Sequence, residues 1–206
     1  MNFLAHLYLT NESPESIIGN IMPDLVRGPL PGDINDELRA AVQLHRDVDR
    51  FTDSHAITRR SCNRIRHEWG HYSGVLIDMF FDHLLAKRWD AYSTVPLEAF
   101  AEQIYETLTE HAHILPPSMK HAVSRMVEFN WLVSYRDIDG IETALRRMSG
   151  RLKRPVRLDD AVVALVEHGD AFSADFTTFF PHVVELARKS RQTTPQHWRE
   201  SSRLVG

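Results

Sequence analysis

The stretch His45-Arg46-Asp47-Val48-Asp49-Arg50-Phe51-Thr52-Asp53 sets an imidazole and two carboxylates at i, i+4 and i+8. On a helix each step of four residues turns about 40°, so His45, Asp49 and Asp53 share one face. An apolar stripe of Leu38, Ala41, Val42, Val48 and Phe51 runs beside them. The polar face therefore falls at the rim of a core, where partial desolvation suits metal binding. A second set lies in Leu76-Ile77-Asp78-Met79-Phe80-Phe81-Asp82-His83. Asp78 and Asp82 share a face, and His83 adjoins them. Two carboxylates in an otherwise apolar helix are costly unless a cation, or a partner such as Arg46 or His45, neutralises them. Asp24, just after the break at Pro23, adds a third source of ligands. Carboxylates and imidazoles without thiolates suit manganese, magnesium, iron or zinc, with the harder ions favoured. The structural alternative is a metal-free polar network joining two helices.

Two other patterns are weaker. His67-Glu68-Trp69-Gly70-His71 matches the zinc-protease spacing HExxH, which needs both histidines on one stable helix. Gly70 and Gly74 weaken that helix, so a chance match is expected. Cys62 lies among Arg59, Arg60, Arg64 and Arg66, whose charge would activate a thiolate. A small helix residue is the plainer reading.

Helices must position these groups almost throughout. Ser13 caps a helix that begins at Pro14 and is closed by Pro23 and Gly28-Pro29. The His45 helix starts near Asp33 or Asn35 and runs to about Asp53. Further helices are expected from Ile57 to before Gly70, from Tyr72 to Trp89, from Thr94 to Pro116-Pro117, from Ser118 to Trp131 and from Asp139 to Met148. A long helix from Asp159 or Asp160 to about Ser190 should be kinked or divided at Pro181. No alternating strand pattern, internal repeat or linker is visible. One helical domain over 1–190 with a polar tail over 191–206 is expected.

The chain has 206 residues, 43% of them hydrophobic and 25% charged, with a formal net charge of −4. That balance is ordinary for a globular protein and points neither to nucleic acid nor to a membrane. The single cysteine excludes an intrachain disulfide and fits a reducing compartment. The opening MNFLAHLYLT lacks the basic start of a signal peptide, and no run approaches the ~20 apolar residues of a membrane span. A cytoplasmic protein is expected.

Several segments together resemble a known family. They are Met1-Asn2-Phe3-Leu4-Ala5-His6-Leu7, Gly19-Asn20…Asp24…Arg27-Gly28, His45-Arg46-x-x-Asp49-x-x-Thr52-Asp53, Asp78-x-x-x-Asp82-His83 and Trp131-Leu132-Val133-x-Tyr135-Arg136-Asp137. In this order they are similar to bacterial acyl carrier protein phosphodiesterases. The resemblance implies an all-α bundle related to the HD-domain phosphohydrolases. It implies hydrolysis of the phosphodiester joining 4′-phosphopantetheine to a serine of holo-acyl carrier protein. It also implies dependence on manganese or magnesium, with iron(II) admitted by the same ligand types. HD-type ligands run His…His-Asp…Asp, whereas here Arg46 follows His45 and the adjacent pair is Asp82-His83.

On this basis Asp24, His45, Asp82 and Asp78 are expected to hold the metal. His83 or Asp49 would orient or deprotonate the water, Arg46 would neutralise the phosphate, and His6 would protonate the leaving serine or act as a further ligand. An acidic carrier protein calls for a basic docking face. The candidates are Arg59, Arg60, Arg64 and Arg66, or Arg146, Arg147, Arg151, Lys153, Arg154 and Arg157. The rival readings are a phosphohydrolase acting on a small nucleotide and a non-catalytic carrier-protein-binding module.

Overall fold

A computed structural model describes residues 1–26, 28, 32, 34–152 and 155–193, the last of these by its backbone alone. Among the described residues the regular structure is helical, as expected. None of the helices is long and apolar enough to cross a membrane.

Two helices frame the chemistry. α2 (Pro14–Leu25) starts as predicted, with the Ser13 side chain accepting from the Ser16 N–H and Pro14 in the first turn, and it runs through Pro23. α3 (Asp36–Ser54) is capped by Asn35, whose side chain accepts from the Leu38 N–H. These two pack together over most of their length, and Gly19 is the reason they can. A Cβ at Gly19 would stand 2.6 Å from the Leu38 carbonyl oxygen and 2.7 Å from Ala41 Cβ, closer than atoms pack. The glycine thus lets α2 lie directly on α3, and this close approach aligns Asn20 with His45.

The core element is α5 (Ser73–Lys87). It is apolar nearly all round, as a fully buried helix must be. Leu76, Ile77, Met79, Phe80, Phe81 and Leu85 have no exposed surface. The long C-terminal helix α11 (Gly169–Thr193) covers α5 with Phe172, Phe176, Phe179 and Phe180, all fully buried. Phe80 meets Phe172 at 5.5 Å and Phe81 meets Phe176 at 5.5 Å between ring centroids. Between α3 and α5 runs α4 (Ala56–Trp69). The outer layer is built from α6 (Leu97–Glu110), α7 (Pro117–Glu128), the short α8 (Trp131–Ser134), α9 (Ile138–Ser149) and α10 (Val162–Glu167).

Two expectations are corrected. The C-terminal helical region divides at His168-Gly169, where α10 closes, while Pro181 sits inside a continuous α11. Arg191, expected in a loose tail, donates to the carbonyls of Leu9 and Thr10 and ties the end of α11 to the first helix. The rest of that tail lies outside the described residues. The first helix itself, α1 (Phe3–Tyr8), was not expected. Six residues are too few to hold a helix by themselves. The carboxylate of Asp82 holds this one: its oxygens accept the N–H groups of Asn2 at 3.2 Å, Leu4 at 2.7 Å and Ala5 at 3.3 Å.

Candidate active site

α1, α2 and α3 bring four side chains together. His45 lies on the buried side of α3, and its Nδ1 stands 2.6 Å from the carbonyl oxygen of Asn20 on α2. A carbonyl only accepts, so Nδ1 carries the proton and donates. The neutral ring then turns a bare Nε2 lone pair outward. That lone pair faces Asp49 Oδ2 at 3.1 Å and Asp24 Oδ1 at 3.6 Å. His6 from α1 stacks on His45 with ring centroids 3.9 Å apart, and its Nε2 lies 3.1 Å from Asp49 Oδ1.

Three electron-rich atoms converging at this range repel one another unless a cation lies among them. A proton on His45 is one remedy. Burial alone lowers its affinity for that proton, but the Asp49 hydrogen bond, the Asp24 and Asp49 charges and the Asn20 carbonyl outweigh burial, so its pKa is raised. His6 goes the other way, pushed down to about 4, chiefly by burial. Burial pushes Asp49 up, yet hydrogen bonds from His45 and His6 and the nearby ammonium hold it well below the usual range. Burial raises Asp24. The second remedy is a metal ion. Ligand atoms of His6, His45 and Asp49 lie within 4.8 Å of one another. Such spacing suits one divalent cation, with bonds of about 2.1 Å and Asp24 at hand as a fourth donor. The buried Nδ1 of His6 has no hydrogen-bond partner among the described residues.

The cluster borders a cleft of about 240 Å³. Asp24, Asp49 and Asp78 line it together with Arg147 and Arg151. Much of the remaining lining is apolar and includes Phe3, Val75, Met79, Trp131, Tyr135 and Met148.

The other expected residues stand elsewhere. Asp82 is fully buried, with both oxygens committed to the N–H groups of α1. Burial pushes its pKa up to about 7 against the pull of the Met1 ammonium and those three donors. It therefore caps the start of α1 and, expected beside His45 as a metal ligand, stands outside the group of His6, His45 and Asp49. Asp78 lines the cleft but is paired with the α-ammonium of Met1 at 2.9 Å. His83 is turned away, its Nδ1 donating to the carbonyl of Tyr135 at 2.9 Å, so it does not reach a water in the cleft. Arg46 is exposed on α3 and does not line the cleft, so it is not placed to meet a phosphate there. Asp53 is exposed, further along α3.

The basic groups also separate. Arg60 and Arg64 both bind Asp175, which is buried on α11, so these two join α4 to α11. Arg59 and Arg66 stay exposed beside a second cleft of about 340 Å³ that shares Asp78 with the first. Arg151 is exposed at the main cleft, while Lys153 and Arg154 lie outside the described residues. The HExxH spacing is a coincidence: α4 ends at Trp69, and Gly70, at φ +53°, sends His71 into a separate turn. Cys62 is 7% exposed and pushed up to about 11 by burial, a poor nucleophile.

The family model described as acyl carrier protein phosphodiesterase matches residues 1–183. The chain belongs to the acyl carrier protein phosphodiesterase family. Curated relatives carrying that name include proteins of Photorhabdus laumondii, Escherichia coli O45:K1 and Pectobacterium atrosepticum. The first is 30% identical over 188 residues, covering 91% of this chain and 95% of the relative. The second is 31% identical over 194 residues, covering 92% and 98%, and the third is 30% identical over 189, covering 91% and 98%. No solved structure matches the chain. The family match spans every residue of the four-residue cluster and the lining of the cleft.

Some cleft residues were not singled out in the sequence. Arg147 was read only as part of a basic run, and Trp131 and Tyr135 only as part of a resemblance. The Trp131–Asp137 motif has a structural meaning: Trp131 and Tyr135 wall the cleft, Arg136 pairs with Glu98 at 2.6 Å, and Asp137 caps α9, which carries Arg147.

Proposed function

We propose that this protein hydrolyses the phosphodiester between 4′-phosphopantetheine and the serine of holo-acyl carrier protein, using a divalent cation held by His6, His45, Asp49 and Asp24. Manganese and magnesium are the ions this set suits best, and iron(II) is compatible with it. The observation that carries the reading is His45 Nε2 facing two carboxylates, with Nδ1 engaged by the Asn20 carbonyl. A bound divalent ion would supply positive charge to the phosphoryl oxygens and make water a better nucleophile.

The protein's own residues have separable tasks. The Asn20 carbonyl sets the His45 tautomer, and Asp49 presents one oxygen to each of the two stacked imidazoles, 3.1 Å from either Nε2. Asp24, at the cleft edge, is placed to take the proton of the attacking water. The water oxygen bonds to phosphorus, the bond from phosphorus to the serine oxygen breaks, and the serine oxygen takes up a proton. Apo-carrier protein and free 4′-phosphopantetheine leave. The apolar wall of Phe3, Val75, Met79 and Met148 suits the pantetheine arm, which carries no charge beyond the phosphate. Arg59, Arg66 and Arg151 are the exposed cations left to meet an acidic carrier protein.

Incubation with holo-carrier protein and manganese, followed by mass spectrometry, tests this. Loss of the phosphopantetheine arm is expected. An intact arm, or turnover of nucleotides instead, would overturn the reading.

A further inference from the structure

The cleft has an electrostatic gap that the metal centre leaves open. Asp24, Asp49 and Asp78 all line it, so a phosphodiester entering the cleft meets three carboxylates beside any bound cation. A cationic side chain in the same lining would give the phosphate a second hold. Arg46, the sequence's candidate, does not line the cleft.

Arg147 does, and the way it is held is unusual. Its guanidinium lies 5.0 Å from the Phe129 ring centroid and 5.3 Å from that of Trp131, within the ~6 Å range of cation–π attraction. Among the described residues it makes no ion pair or hydrogen bond. Its neighbour Arg146 is the contrast: it pairs with Glu142 and, at 3.5 Å, with Asp159. Aromatic rings take a guanidinium by its face, so the in-plane N–H donors stay free for a bidentate oxyanion. Phe129 also takes the Arg125 guanidinium at 4.0 Å, so Trp131 is the ring that Arg147 alone occupies among the described residues. Asn130, in the left-handed region at φ 44°, breaks the chain between α7 and α8 so that Phe129 and Trp131 flank the turn. The buried indole N–H of Trp131, in the same lining, also has no acceptor among the described residues.

We propose that Arg147, held by Phe129 and Trp131, binds the phosphoryl oxygens of the substrate in the cleft that Asp24 and Asp49 also line. The ligand class is a phosphate monoester or diester carrying an uncharged arm. The assignment rests on the phosphodiesterase reading for its substrate, but its test can fail separately.

Calorimetry on the full-length protein compares 4′-phosphopantetheine with pantetheine, which lacks the phosphate, for wild type, R147Q and R147K. Wild type should prefer the phosphorylated ligand. R147Q should lose about 100-fold in affinity for it with pantetheine binding unchanged, and R147K should fall between. Wild-type binding that ignores the phosphate overturns the proposal. So does R147Q binding both ligands like wild type, or losing both equally, the mark of a merely structural residue. If R147Q does not fold, R147K decides: intermediate affinity supports the proposal, and wild-type affinity sinks it. Turnover of holo-carrier protein is scored alongside. A wild type that leaves the arm in place fails the reaction reading, while the ligand comparison still judges Arg147.

Discussion

Helices α3 and α5 carry the same ingredients, two carboxylates four residues apart with a histidine close by, yet they are used in opposite ways. On α3, His45 Nε2 faces Asp49 and Asp24, an arrangement that either a proton on the ring or a bound cation would satisfy. On α5, each group already has a partner in the protein. Asp82 caps α1, Asp78 holds the Met1 ammonium, and His83 donates to Tyr135. Spacing along a helix tells which groups share a face. It does not tell whether the chain itself satisfies them. A group left facing its own kind is a better mark of a ligand site than a group that is merely buried and charged.

The contrast can be broken most sharply at Asp49. Replacing Asp49 with Asn should lower kcat/KM for holo-carrier protein by about 10³-fold in protein that still unfolds cooperatively. That loss corresponds to about 4 kcal/mol of transition-state stabilisation. A variant within tenfold of wild type would place the metal elsewhere. Asp82 should show the reverse pattern. D82A leaves three N–H groups of α1 without acceptors and should cost about 3 kcal/mol or more in urea unfolding. An unchanged midpoint would show that α1 does not depend on it.

Gly19 tests the frame that aligns the cluster. G19A forces a methyl group against the Leu38 carbonyl and should cost about 2 kcal/mol. Because it pushes Asn20 away from His45, it should also weaken manganese binding. Stability loss with manganese affinity intact would separate the helix crossing from the site.

The smallest effect is expected at the α4–α11 joint. Burial pushes Asp175 up, but hydrogen bonds from Arg60, Ser61 and Arg64 outweigh it, so its pKa lies below the ordinary 3.8. A carboxylate with a depressed folded-state pKa adds stability that is present above its unfolded pKa and lost as the pH falls through the folded value. Denaturant midpoints measured from pH 5 down to pH 2 should therefore fall less steeply in D175N than in wild type. Parallel curves would remove Asp175 from the acid response.

Much of the helical frame is legible in the sequence, because proline, serine and asparagine mark the starts of α2 and α3 and the apolar runs define α5. α1 is not, since a six-residue helix owes its existence to a carboxylate nearly eighty positions away. The division before α11 is misplaced for a related reason. Pro181 is the stronger local breaker, but packing of Phe176, Phe179 and Phe180 on the core holds the helix through it. Within the site, His45, Asp49 and Asp24 are readable from spacing and position, and His6 from its motif. The exchange of Asp49 for Asp82 is not readable, because it depends on which backbone N–H groups lie nearby. Arg147 is equally hidden, since nothing in a run of arginines shows which one stacks on a tryptophan.

Manganese titration of the metal-free protein, with free ion read by electron paramagnetic resonance, tests the central claim most directly. Wild type, D49N and D78N should be compared, since both carboxylates line the same cleft. The account predicts that D49N loses more than about 100-fold in affinity while D78N binds like wild type. Affinity lost in D78N and kept in D49N would contradict it.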